Sequence, residues 1–259
     1  MAGSRLGDED GDRETTAPVS RQDARLLACL ALHPQGITTS TLLEILWPDA
    51  KHRGAGQRLR TALNHLRTTL REATDLPEAT FAGHLNGRYH LGAHPGDRHI
   101  WVDHTAFDTA AHSLRTRTGQ ARIDALHTIA SLYTGLLLDG IDLDWPELSG
   151  RQESARQSAT AAVAELAEHY EHTDPAQAID LLRTLLSHDP AAEQPAEQLI
   201  ALYIRGGNVR GAHRAYRQLA KQLAALGRRP SAAVTDAIQA QPRPSAENLF
   251  DTATAGPHR

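Results

Sequence analysis

Aromatic residues are scarce: three tryptophans, three phenylalanines and five tyrosines make up 4% of 259 residues. A core so poor in rings must be built from leucine and alanine, which favours helices over sheets. A single cysteine, Cys29, excludes any internal disulfide; lying in the apolar run "ARLLACLAL", it reads as a small core residue in a reducing cytoplasm. No hydrophobic stretch approaches the ~18 residues of a membrane span, so no membrane contact is expected. The opening "MAGSRLGDEDGDRETTAPVS" is acidic and polar, unlike a signal peptide.

Catalytic and cofactor signatures are missing too. The chain has no G-x-S-x-G elbow and no H-E-x-x-H, and its one cysteine is core-like. The pair Asp142 and Asp144 sits between helices beside a proline, where capping and loop solvation explain it. His84, His90, His94, His99 and His104 crowd one stretch, but their intervals match no zinc motif, so solvent-exposed histidine around a turn is the reading. "RGAGQRLR" has neither the spacing nor the lysine of a phosphate loop. We expect no enzyme, no cofactor and no metal.

What the chain does have is uneven charge. The total is −4, but residues 1–19 hold five acids and two bases. From Lys51 to Arg71 there are six bases and no acid. A local basic stripe on a near-neutral protein suits contact with DNA, because phosphate attraction acts over a Debye length of ~8 Å.

The length suits about two domains. "SRQDARLLACLALHPQG" reads as a helix capped by Ser20 and stopped by Pro34 and Gly36. "TTSTLLEILWPD" reads as a second helix, capped by Thr39 or Ser40 and ended by Pro48. A glycine-rich loop leads to a long third helix, and "ATFAGHLNGRYHLG" carries Asn86-Gly87, a strong hairpin signal. Three helices and a hairpin are the order of a winged helix-turn-helix.

Beyond Val102 the chain reads as helix after helix. An offset of 34 residues sets Ala178 on Ala212, Leu182 on Tyr216 and Leu185 on Leu219, the period of tetratricopeptide-like helix pairs. "HIWVDH" reads as a packed junction.

On a helical wheel at ~100° per residue, Leu59, Leu63, Leu66 and Leu70 form a core stripe. Arg60, Asn64, Arg67 and Arg71 form a second stripe about a quarter-turn away, with Gln57, Thr61 and Thr68 beside it. Arginine suits guanine, asparagine and glutamine suit adenine, and threonine suits phosphate or the thymine methyl. The bland alternative is a solvated face, which normally mixes signs to gain pairs; this one does not. Arg88, at the hairpin tip, fits a DNA-contacting wing or a plain surface turn equally well. The DNA-contacting set is Lys51, Arg53, Gln57, Arg60, Thr61, Asn64, Arg67, Arg71 and Arg88.

"ARLLACLALHPQGITTSTLLEILWPDA", "RLRTALNHLRTTLRE" and "NGRYHLG" together resemble the response-regulator type of winged helix found in Streptomyces antibiotic regulatory proteins. "WVDHTAFDTAAHSL", "LYTGLLLDGIDLDWPELSGRQESARQ" and "AYRQLAKQLAALGRRPSAAVTDAI" are similar to the bacterial transcriptional activation domain that follows it there. The resemblance covers about residues 20 to 240. It implies a DNA-binding transcription regulator. The third helix would enter the major groove, with Arg60, Asn64 and Arg67 reading bases and Arg88 in the wing. The helical domain would support a homodimer or contact RNA polymerase subunits or another regulator. The small sheet that usually precedes the first helix has no counterpart in the acidic residues before it. A protein-interaction module with a degenerate winged helix is therefore the alternative.

The expected fold is mainly α. A disordered acidic tail (1–19) precedes the winged helix-turn-helix with its β-hairpin wing (20–98). A tetratricopeptide-like all-α domain (99–240) and a disordered tail (241–259) follow. Strand is expected only within Thr80 to Gly92, apart from a short piece near Ile100 to Val102 or just ahead of Arg21. Trp47, Leu63, Phe81 and Tyr89 should share the first core. Trp101, Phe107 and Trp145 should be buried in or near the second.

Overall fold

The computed structural model describes residues 19–49, 54–97 and 99–242. The two tails, apart from Val19, Gln241 and Pro242, and any sheet further upstream lie outside the described residues. Contacts divide the chain into two units. The first holds residues up to Thr105 together with Gly140–Pro146; the second holds Ala106–Asp139 and the chain from Glu147 on.

In the first unit, helix α1 (Arg21–Ala31) starts at Ser20, whose Oγ accepts from the Asp23 amide and donates to the Asp23 carboxylate. Asp23 is 1% exposed and also accepts from His65 Nδ1 at 2.7 Å. That bond ties α1 to α3 (Ala55–Thr74). Between them lie strand β1 (Ile37–Thr38) and helix α2 (Thr39–Leu46). Strands β2 (Ala82–Leu85) and β3 (Arg88–Leu91) form the expected hairpin, with Asn86 and Gly87 both at positive φ in its turn. Leu26, Leu30, Leu42, Leu46, Leu59 and Leu66 are at most 1% exposed and make the core. Cys29 is fully buried there, and burial pushes its thiol up to about 12.

Four expectations for this unit need correction. A third strand, β1, pairs antiparallel with β3 in the order β1-β3-β2, with Ile37 opposite Tyr89. Two residues are too short to show alternation, and neither expected extra segment is a strand in the described residues. Thr38 rather than Thr39 or Ser40 caps α2, its Oγ accepting from the Thr41 amide. Trp47, Phe81 and Tyr89 are only half-buried, while Leu63 is fully buried. His90 is buried, not exposed: it points inward from β3 over Gly36, which has no side chain to meet it.

The second unit is α4 (Asp103–Ser113, its first turn counted with the first unit), α5 (Gly119–Leu132), α6 (Glu147–Tyr170), α7 (Pro175–His188), α8 (Glu193–Arg205), α9 (Val209–Ala225) and α10 (Ala232–Gln239). The 34-residue period is physical. Asp174 and Asn208 cap α7 and α9 by the same bond to the third residue on. Ala178 and Ala212 are both fully buried, as nearly are Leu185 and Leu219. Bonds 34 residues apart link α6, α8 and the start of α10: Gln198 to the Ala164 carbonyl, Arg205 to Glu171, and Ser231 to Glu197. Phe107 joins this core at 4% exposed. Trp145 is buried but belongs to the first unit, where its ring lies 5.2 Å from that of His33. Trp101 is 70% exposed, against expectation. No described helix is long and apolar enough to cross a membrane.

Arg122 fastens the second unit near its start. It grips Glu165 with two nitrogens and donates to the Leu114 carbonyl at 2.6 Å. The guanidinium holds the Glu165 carboxyl below its ordinary value of 4.5. A carboxyl depressed on folding contributes stability above its ordinary value and loses it as the pH falls. Glu165→Gln should therefore lower the melting temperature at pH 7 but not at pH 2, the two proteins converging below 4.5. The effect is small, under about 1 kcal/mol, because both partners are partly exposed. Parallel curves at all pH values would remove Glu165 from the account.

Candidate nucleic-acid interface

Helix α3 enters from Gly54, at φ +91. Its inward side is Leu59, Ala62, Leu63, Leu66 and Thr69, all at most 9% exposed, with Leu70 half-buried. The opposite side carries Gln57, Arg58, Arg60, Thr61, Asn64 and Thr68, all exposed. Glu72 is the only acid on the helix, in its last turn. The face predicted by the wheel thus exists, and it is acid-free over four turns.

The side chains on it are not equivalent. Arg58 and Arg60 make no hydrogen bond or ion pair among the described residues. Thr61 and Thr68 bond back to the Gln57 and Asn64 carbonyls, each at 3.1 Å, which occupies their hydroxyl protons. Arg67 is occupied elsewhere: Nε and one terminal nitrogen donate to the Ala82 carbonyl at 2.9 and 2.7 Å, and the other to Asn64 Oδ1 at 3.2 Å. A carbonyl at the start of β2 is thereby held against α3. Arg71 donates through Nε to the Ala79 carbonyl at 3.1 Å, leaving its outer nitrogens open. Arg88 donates to the Gly36 carbonyl at 3.1 Å and stays exposed. Lys51 and Arg53 lie outside the described residues.

The wheel therefore found the face but misjudged the reach of Arg67, whose long arm bends sideways onto the hairpin. It also passed over Arg58, which flanks the face about 100° from Gln57, on the side away from Arg60. His65 was missed as well; the buried Asp23, 42 residues away, holds it. Charge pattern alone marked Arg58, and nothing local in the sequence marked His65. No group of three or more histidines, cysteines or acids placed to hold a metal occurs among the described residues.

Comparison with known proteins adds two findings. A family model, the bacterial transcriptional activator domain, matches residues 102–240, more than half of the chain. Among solved structures, Mycobacterium tuberculosis EmbR in complex with a low affinity phosphopeptide is similar, with TM-score 0.53 and 18% identity over 86% of this chain. This chain spans 59% of the EmbR chain, and at that identity the likeness is one of fold. No curated protein matches.

Proposed function

The chain belongs to the bacterial transcriptional activator domain family, and on that premise we propose that it regulates transcription by binding duplex DNA through the exposed face of α3. The observation that carries the reading is the acid-free face itself, with Arg58 and Arg60 unengaged and Gln57, Asn64 and Thr61 between them. Arginine and amide side chains at helical spacing suit base edges in a major groove. Arg71 and Arg88, each with nitrogens left over, suit flanking phosphates, as do Lys51 and Arg53. Arg67 acts as a positioning residue: it sets the hairpin against the helix. The helical unit serves dimerisation or contact with RNA polymerase or another regulator.

A protein-interaction module is the second reading. It is favoured by the engagement of Arg67 within the domain and by the net charge of −3 over residues 104–259, from 15 bases and 18 acids. A salt titration against random-sequence duplex separates the two. With about four phosphate contacts, log affinity should fall against log salt with a slope of about −3 to −4. A flat response, or no binding at all, hands the role to protein partners.

A further inference from the structure

Helix α9 is a second basic helix, one with no acid anywhere along it, and it lies far along the chain from α3. Between Val209 and Ala225 it carries Arg210, Arg214, Arg217 and Lys221 and no acid. At ~100° per residue these four fall within about 60° of one another, opposite the buried Ala212, Leu219 and Leu223. All four are exposed, and none has an ion pair or hydrogen bond among the described residues. Neighbouring helices handle charge differently: α6 pairs Arg156 with Glu153 at 2.7 Å, and α7 sets Arg183 3.8 Å from Asp180.

Beside this stripe is a groove of about 470 Å³ between α7 and α9, floored by α8. Leu186, Leu199 and Leu219 give it an apolar bottom, and Arg183, Arg214 and Gln218 a polar rim. One repeat earlier the fold makes the same groove again, about 570 Å³ between α5 and α7. There Asp180 stands 34 residues before Arg214, and Thr184 before Gln218. Repeat geometry supplies both grooves, but only the later one is basic. Its cations are thus a property of that groove and not of the architecture.

We propose that the groove between α7 and α9 docks an acidic segment of a partner protein, one large apolar side chain entering the groove while carboxylates meet Arg183, Arg214 and the α9 stripe. An apolar floor ringed by arginine fits a chain that carries both features; a phosphate backbone has no use for the floor. Duplex DNA is also a long rod that would meet the net negative surroundings, whereas a short segment meets only the groove and the stripe. The inference is independent of DNA binding by α3.

The test uses the full chain and fluorescence anisotropy. The probe is a labelled peptide of roughly a dozen residues, mostly aspartate and glutamate with two leucines. Its control has the same acids with serine in place of leucine, and a duplex of similar length is the third ligand. The leucine peptide should bind, and the serine peptide at least about tenfold more weakly. Arg183→Glu with Arg214→Glu should abolish peptide binding while the far-ultraviolet circular dichroism and the duplex affinity stay unchanged. Arg214→Lys should keep most of it, since the charge remains. The proposal is overturned if the leucine peptide fails to bind at about 100 μM, a level that would register even a weak complex. It is equally overturned if both peptides bind alike or the double variant binds normally. If the double variant instead loses duplex affinity, α9 is a nucleic-acid surface and the peptide assignment is wrong.

Discussion

Arg58→Glu combined with Arg60→Glu is expected to lower the affinity for any duplex by about a hundredfold. Each arginine is exposed and unengaged on α3, so each can give one phosphate or base edge a charge-assisted hydrogen bond worth roughly 1.5–3 kcal/mol. Losing two amounts to at least ~3 kcal/mol, and 1.4 kcal/mol is a factor of ten. The salt slope should flatten by about two as two counterions cease to be released. Folding should be untouched, because neither side chain packs against the core.

Arg67→Ala makes the contrast. It removes three donated bonds, two to the Ala82 carbonyl and one to Asn64 Oδ1, so its first effect is on stability, about 1–2 kcal/mol. Arg67→Lys should not restore it, since a lysine lacks the fork that grips one carbonyl twice. If the double glutamate variant binds duplex as well as the parent does while the parent shows a steep salt slope, the face of α3 is not the contact surface.

Gly36→Ala should destabilise the first unit strongly, costing about 3 kcal/mol. Gly36 sits at φ +82, a conformation that costs an L-residue roughly 1–2 kcal/mol. A Cβ there would also run into the buried His90 ring and come within 3.0 Å of Arg88 Cβ. Displacing a packed ring costs a further ~1–3 kcal/mol. The same residue's carbonyl accepts from Arg88, so β1, β3 and the hairpin tip all shift with it. Gly54→Ala is the matched control: φ is +91, but among the described residues nothing lies within 4 Å of the new Cβ. At roughly 4–8 °C per kcal/mol for a unit of this size, the two melting temperatures should differ visibly. Equal losses would mean that backbone strain alone explains Gly36 and that the His90 contact is incidental.

Helices with long apolar periods and hard stops were legible. α7 runs from Pro175 after Asp174, and α8 ends at Gly206, where the sequence supplies its own punctuation. The repeat was legible because burial enforces it: Ala178 and Ala212 occupy one position twice. β1 was not, since two residues carry no alternation and Thr38 serves both strand and cap. α5 stops at Leu132 although apolar residues continue to Leu138, because the backbone turns extended at Tyr133, with φ -82 and ψ 99. At the candidate site, angle around α3 could be read but reach could not. Arg60 and Arg67 lie within about 20° of each other on the wheel, yet one is unengaged and the other bends to a carbonyl 15 residues on. Trp101 shows the limit of composition at a linker: a large apolar residue there suggests packing, yet the ring is exposed.

Cys29 gives this molecule a built-in clock. The chain's only thiol sits at zero exposure in the first unit, with ionisation suppressed from 9.0 to about 12, so a thiol reagent has neither access nor thiolate while that core is closed. Reaction must wait for an opening of the unit, and in denaturant-free buffer its rate relative to a free thiol measures how often that happens. The helices of the second unit, which dominate any spectroscopic signal, are silent in this readout. A ligand that binds only the closed first unit would slow the clock, while one that binds α9 would reach it only through a linkage between the units. Timing one sulfur therefore reports on which half of the chain a given partner holds.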